Sequence, residues 1–500
     1  MPSKIFNINK FKVHSFIKFG IFILCIMGLI MFTISDYSNA KNYNDNAKNY
    51  KRDLNYTFNY SVKDIKVLKA PSIDDLKGVI SLGSDQYLFY GDTKSFTQNG
   101  SDFLYVKIIP QNNDYFANVK VFSGLFNDNL ISATKYGDYI LAVGNTWSYS
   151  QDTLEDIMIN VLDSNLNLVN YYVISGNRQE DVSNTVIVDN VPYILASTRS
   201  ATFGKENSLI IKMDQNLNVD KIHLIGTNSE DKPYDLIKLS GDKYLLVGNY
   251  LKSSGNKDIY CAILDKNFNF IRAFAFGGAF DEFIKNTIIY KDKLIIVSQT
   301  RSFKPYEGEN VLLNLIDLKS MKILRSLAIG NANDDYFLSS YIDNDKLILF
   351  IDNRVKDSSN LYLVSLNPLN LNIDKIVELD SFLSKESMEY FNRLRGFWVL
   401  DLKSNYIDLA LNVVNTDTLE DYAICKLDNF IPQFYNNKFL RNFGVSKYYL
   451  RVSKFPNLES YDLVMNNKIV YSKDSSDNVF KIDNKINSSY LDFDISSIWK

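Results

Sequence analysis

Three residue marks recur along this chain with one period, and that regularity restricts the fold more than any single motif. An apolar residue followed by Asp or Asn falls at Asp163, Asp214, Asp265, Asp317, Asn367, Asp428 and Asp483, in steps of 51, 51, 52, 50, 61 and 55 residues. Seven residues before six of these marks stands Asp156, Asn207, Asp258, Asn310, Asn360 or Asp421. A glycine closing an apolar run recurs at Gly124, Gly176, Gly226, Gly277 and Gly330. Chance matches would drift; three marks keeping step require a structural repeat.

The stretch 220–269 shows the unit: four short apolar runs, Ile222–Ile225, Tyr234–Leu239, Tyr244–Val247 and Ile259–Leu264, separated by Gly, Asn and Ser breaks. Such runs are strand signals. One unit cannot bury both faces of its sheet and needs copies on either side. Four strands per roughly 50 residues, repeated, is the pattern of a propeller blade, and closure into a ring removes the open edge a linear stack would expose. The chain therefore reads as all-β, a β-propeller of seven or eight four-stranded blades over residues 64–500. Unit starts fall near 64, 118, 170, 220, 271, 323, 374 and 438, the last degenerate.

Phe276-Gly277-Gly278 with Asp281, Val143-Gly144-Asn145-Thr146-Trp147-Ser148, and Leu264-Asp265-Lys266-Asn267 together resemble the units of secreted bacterial and archaeal β-propeller repeat proteins. The resemblance covers about residues 64–435. It departs from the pattern in two ways: the double glycine survives once, and the turn glycine is usually Leu or Phe. It implies the fold and little about function, because members serve many roles.

Residues 1–20 carry Lys4, Lys10, Lys12 and Lys18 without an acid, and Phe19–Ser35 is uncharged. Ser38-Asn39-Ala40 follows with small residues suited to cleavage. This layout predicts export, with residues 1–35 as either a signal peptide or a retained transmembrane anchor helix. The body is then extracytoplasmic, membrane-anchored or secreted. Residues 36–63, where Ala40-Lys41-Asn42-Tyr43 recurs as Ala47-Lys48-Asn49-Tyr50, read as a polar tether; Asn55–Val62 could instead be a strand closing the ring. The lengthened seventh unit coincides with Ser381–Arg395, where Met388, Phe391 and Leu394 at helical spacing predict a short helix or structured loop.

Composition closes several routes. A net charge of −3 and a pI near 5.7 lack the basic excess of a nucleic-acid-binding protein. His14 and His223 are the only histidines, which excludes a His-based zinc site or a Ser-His-Asp triad. Cys25, Cys261 and Cys425 offer no disulfide framework, and the last two read as small core residues. Asp163/Asn165/Asn167, Asp214/Asn216/Asn218 and Asp265/Asn267/Asn269 resemble half a calcium loop, yet position six is Leu168, Val219 or Phe270 where glycine is needed; structural turns fit better. No catalytic residue, metal or cofactor is expected.

The remaining candidates sit in one loop. Thr93-Lys94-Ser95, Thr146-Trp147-Ser148, Thr198-Arg199-Ser200 and Thr300-Arg301-Ser302 share a register, with Asp352-Asn353-Arg354 one unit on. Equivalent loops of a ring emerge on one face, so Lys94, Trp147, Arg199, Arg301 and Arg354 form the expected ligand-binding rim, while the hydroxyls serve the turn. The expected role is binding or scaffolding of an envelope protein or glycan, anionic partners included. The alternatives are a carbohydrate-active enzyme using rim carboxylates and a purely structural envelope component.

Overall fold

In the computed structural model the described residues are 54–55 and 61–481 with interruptions, the longest being 379–392 and 464–478. Six sheets are each built from four consecutive antiparallel strands: blade 1 (74–123), blade 2 (128–174), blade 3 (180–226), blade 4 (231–276), blade 5 (282–330) and blade 6 (334–378). A further composite sheet pairs Arg393–Leu402, Tyr406–Val414 and Asp421–Asp428 with Ser61–Leu68 from near the start of the chain. Its first strand packs against the first strands of blades 6 and 1, which closes the ring. The fold is a β-propeller of four-stranded blades.

The strands differ in burial because blades stack face to face. A first, inner strand alternates, as in Glu180–Val188, where buried and half-buried residues take turns. The second and third strands are covered on both faces by neighbouring blades, so Val191–Thr198 and Asn207–Met213 are buried almost throughout. The apolar cores accordingly lie between blades. Leu141, Val143, Ile157 and Ile159 of blade 2 meet Ile194, Leu209 and Ile211 of blade 3, and Ala410 of the composite sheet joins Leu76 and Phe89 of blade 1.

The inner strands of blades 1 to 5 carry a bulge after their third residue, for example between Leu130 and Ser132 or Ile284 and Asn286, and that of blade 6 carries one after its fourth, Phe337. In blades 2, 3, 5 and 6 the N–H of the residue before the bulge is satisfied from the preceding blade. Leu130 N donates to Asp92 Oδ1 at 2.5 Å, Val182 N to Asn145 Oδ1 at 2.8 Å, Ile284 N to Asn249 Oδ1 at 3.3 Å and Phe337 N to Gln299 Oε1 at 3.3 Å. Blade 4 is the exception that explains the rule. Its third residue is Pro233, which has no N–H, and the facing position of blade 3 holds Ser197, which donates instead to Glu206 Oε1 at 2.6 Å.

Three expectations change. The count of seven or eight equivalent units gives way to six continuous blades and one composite sheet. Among the described residues, those after 438 form no eighth sheet; Gly444–Tyr448, Ser453–Lys454 and Glu459–Leu463 are added as fifth strands to the outer edges of blades 5, 4 and 3. The sequence unit and the blade are offset by one strand, since Ile222–Ile225 belongs to blade 3 and the other runs of that unit to blade 4. The ring-closing strand is Ser61–Leu68, overlapping the expected segment only at its end. The anchor helix and its cleavage site fall on residues outside the described ones, as does most of the helix expected at 381–395. Leu394 and Arg395 stand in a strand instead. Among the described residues no helix is long and apolar enough to cross a membrane.

Candidate functional site

Inner strands begin and second strands end on the same face, here called the upper face, and the Thr-x-Ser loops lie there. On blade 2 the Asp128 carboxylate accepts Thr146 Oγ1 at 2.5 Å and Ser148 Oγ at 2.7 Å, while Ser148 N donates to Thr146 Oγ1 at 3.1 Å. Thr198 donates to Glu180 at 2.7 Å and Thr300 to Glu282 at 2.9 Å on blades 3 and 5. On blade 1 Ser95 Oγ donates to Asp74 at 3.0 Å, and on blade 6 Asn353 Nδ2 donates to Asp335 at 3.0 Å. Glu180, Glu282 and the equivalent Asp231 of blade 4 accept backbone N–H groups leaving the preceding blade: Gly176 to Glu180 at 3.0 Å, Thr227 to Asp231 at 2.6 Å and Gly278 to Glu282 at 2.7 Å. The hydroxyls are structural, as expected.

The acids were missed in the sequence, although the signal was present: each stands 18 residues before its threonine at Asp128, Glu180 and Glu282. Two of the periodic marks meet at the same blade junctions. A Cβ on Gly277 would lie 2.2 Å from Asp258 Oδ1, and one on Gly226 would lie 2.1 Å from Asn207 Nδ2. The recurring glycine and the recurring Asp or Asn pack against each other at the blade junction. Burial pushes the Glu282 carboxyl up to about 7 and those of Asp128 and Asp231 up to about 6.

The variable middle residues do share this face, and the arginines among them are paired. Arg199 reaches Glu206 Oε2 at 3.3 Å, Arg301 Nε donates to Glu309 Oε1 at 2.6 Å, and Arg354 Nε donates to Asp352 Oδ2 at 2.7 Å while lying 3.9 Å over the Tyr336 ring. Lys94 is exposed and Trp147 half-buried. The rim is therefore a set of charge pairs and aromatics rather than a bare positive band. The Glu206 and Asp352 side chains are only 2% exposed, so Arg199 and Arg354 also hold buried carboxylates.

Large apolar side chains, which the sequence reading passed over, stand on the same face. Leu125 and Phe126 are 52% exposed, Phe280 54% and Phe283 41%. Phe126 N and Phe280 N donate to Ser148 Oγ at 3.0 Å and Ser302 Oγ at 2.8 Å, which sets them beside the Trp147 and Arg301 loops. Arg178, whose N donates to Ser200 Oγ at 2.8 Å, is their counterpart on the next loop. The signal was register again, two or three residues after Gly124, Gly176 and Gly277.

One polar cluster breaks the pattern. Blades 3 and 5 pair Arg199 with Glu206 and Arg301 with Glu309, but blade 2 has Trp147 where the arginine would be. Glu155 there accepts Asn145 Nδ2 at 2.7 Å and the Gln179 amide; burial and the neighbouring Asp181 raise its pKa. Lys232 joins Asp181 at 2.9 Å to Glu206 at 3.0 Å.

The remaining candidates resolve as structure. Asp163 Oδ1 accepts Asn165 N and Asn167 N at 2.8 Å, and Oδ2 accepts Asn167 Nδ2 at 2.9 Å; Asp214 and Asp265 repeat the arrangement. Carboxylates filled by N–H donors are turn caps. Leu166, Leu217 and Phe268 take φ of 64°, 59° and 64° in these turns and bury their side chains. His223 is buried against Phe268, one ring nitrogen 3.1 Å from that residue's carbonyl, and Cys261 lies in an apolar cluster. Among the described residues no group of three or more His, Cys, Asp or Glu is placed to hold a metal ion.

No protein-family model matches the chain, and no curated protein matches it in sequence. Solved structures of similar fold include polysaccharide lyase Uly1, 7% identical over 78% of this chain and 95% of that one, with a TM-score of 0.43. An apocarotenoid oxygenase of Synechocystis is 9% identical over 83% and 99%, with a TM-score of 0.40. A neuraminidase-like protein of A/little yellow-shouldered bat/Guatemala is 12% identical over 73% and 99%, with a TM-score of 0.34. These likenesses concern fold alone.

Proposed function

We propose that this is an exported β-propeller acting as a binding or scaffold module in the cell envelope, and that the upper face receives its partner. The observation that carries the reading is the exposure of Leu125, Phe126, Phe280 and Phe283 on the face that bears Trp147, Arg301 and Arg354. Aromatic and arginine side chains are the residues enriched in interface centres, and exposed apolar side chains rimmed by polar groups mark contact surfaces. A protein partner fits that chemistry better than an anionic glycan, because the arginine charges already face Glu206, Glu309 and Asp352. Export rests on the lysines before the uncharged run 19–35 and the small-residue site after it. An alkaline phosphatase fusion after residue 60 tests it: an active fusion supports export, and a stable inactive one refutes it.

The partner reading is tested with Phe126→Asp combined with Phe280→Asp. An envelope protein captured by the wild-type domain, once purified, should bind this variant at least tenfold more weakly while the variant melts near wild type. Unchanged binding removes the upper face from consideration. The enzyme reading keeps one supporting observation, the neighbouring Glu155 and Asp181 carboxyls bridged by the Gln179 amide. Polysaccharide cleavage lost in Glu155→Gln would favour it.

A further inference from the structure

Three short strands beyond the composite sheet lie on the outer edges of blades 5, 4 and 3. Gly444–Tyr448 pairs antiparallel with the outer strand of blade 5, from Gly330↔Gly444 to Ser326↔Tyr448. Ser453–Lys454 pairs with the outer strand of blade 4 at Ala275 and Phe274. Glu459–Leu463 pairs with the outer strand of blade 3, from Gly226↔Glu459 to Ile222↔Leu463. Three adjacent blades are thus met in the reverse of their chain order, each near the upper end of its last strand. Farther along, Val479–Lys481 pairs in parallel with Val121–Ser123 of blade 1.

These ladders are backbone contacts. An outer strand presents a row of N–H and C=O groups that an extended segment can satisfy. The three ladders span five, two and five residues, and none is long enough to persist by itself. Their strength comes from connection: once one ladder forms, the next is an intramolecular event at an effective concentration on the order of millimolar.

We infer that the upper ends of the outer strands of blades 5, 4 and 3 form one docking surface for an extended peptide, and that the strands Gly444–Tyr448, Ser453–Lys454 and Glu459–Leu463 are its resident occupant, held in cis and displaceable. The continuity of three consecutive ladders on one segment identifies the occupant. The surface lies on the outer wall and is separate from the upper-face reading.

The test uses the full chain with a protease recognition sequence inserted between Asp428 and Asn436, cleaved after folding. A fluorescent peptide of residues 444–463 should bind the cleaved protein at least tenfold more tightly than the uncleaved one. A peptide with Ser446→Pro and Lys447→Pro should lose that advantage, because every second N–H of an antiparallel strand points to its partner and proline has none. In the intact chain, amides of 444–448 and 459–463 should exchange more slowly than in the free peptide. The inference is overturned if the cleaved protein fails to bind, if cleavage makes no difference, if the proline peptide binds equally well, or if the intact segment exchanges at free-peptide rates.

Discussion

Replacing Glu282 with Gln should change the pH dependence of stability in a sign opposite to that of a salt-bridged carboxylate. Glu282 is fully buried. It accepts Thr300 Oγ1 at 2.9 Å and Gly278 N at 2.7 Å, and it neighbours Asp258, which is itself held by Lys252 at 2.8 Å. Burial raises its pKa from 4.5 to about 7, so the folded state binds its proton more tightly than the unfolded chain does. Stability from this group is complete below about pH 4.5 and is withdrawn as pH rises through about 7. At about 1.4 kcal/mol per tenfold change in proton affinity, the withdrawal amounts to about 3 kcal/mol. For a cooperative unit of about 400 residues that is about 3–4 °C in Tm. Glutamine stays neutral, and its amide can still accept from Gly278 while Thr300 turns its hydroxyl. Asp128 and Asp231 add slopes of the same sign to both proteins, so the difference between wild type and Glu282→Gln isolates one group. Denaturant unfolding at pH 4.5 and pH 8 should show the variant gaining about 3 kcal/mol on wild type across that interval. A difference that is flat with pH, or a wild type that gains on the variant toward pH 8, refutes the argument.

Other outcomes follow from the same junctions. Gly277→Ala should destabilise by about 1–3 kcal/mol by overpacking, read as a lower denaturation midpoint, since its Cβ would sit 2.2 Å from Asp258 Oδ1. Pro233→Ala adds an N–H at the blade 4 bulge facing Ser197, at a cost of about 1–2 kcal/mol, and Ser197→Asn should recover part of that in a double-mutant cycle. Leu217→Gly relieves about 1 kcal/mol of left-handed strain but empties a core site worth about 2–5 kcal/mol, so unfolding measurements should show a net loss. Removing Arg199, Arg301 and Arg354 together should lower the Tm visibly. That departs from the near-neutral effect usual for surface arginines, about 0.5 kcal/mol or less, because two of their partners are buried carboxylates.

The sequence by itself determined the repeat, its strand content and the ring. Those follow from local chemistry: apolar alternation sets strands, Asp163, Asp214 and Asp265 cap their turns through their own neighbours, and a sheet with two apolar faces must be covered on both. The Thr-x-Ser loops were legible as structural for the same reason, since each serine N–H is served by a hydroxyl two residues away. What tertiary structure alone decided involves residues far apart in the chain. The outer strand of a sequence unit belongs to the preceding blade because sheet membership is fixed by pairing rather than by repeat boundaries. Ser61–Leu68 closes the ring on Asp421–Asp428, and Gly444–Tyr448, Ser453–Lys454 and Glu459–Leu463 pair with the outer wall, although none of these strands carries the periodic marks. The upper face could be placed from register, but its electrostatics could not. That Arg199 and Arg354 neutralise buried carboxylates, while Phe126 and Phe280 remain exposed, depends on which side chains the packing of adjacent blades leaves room to cover.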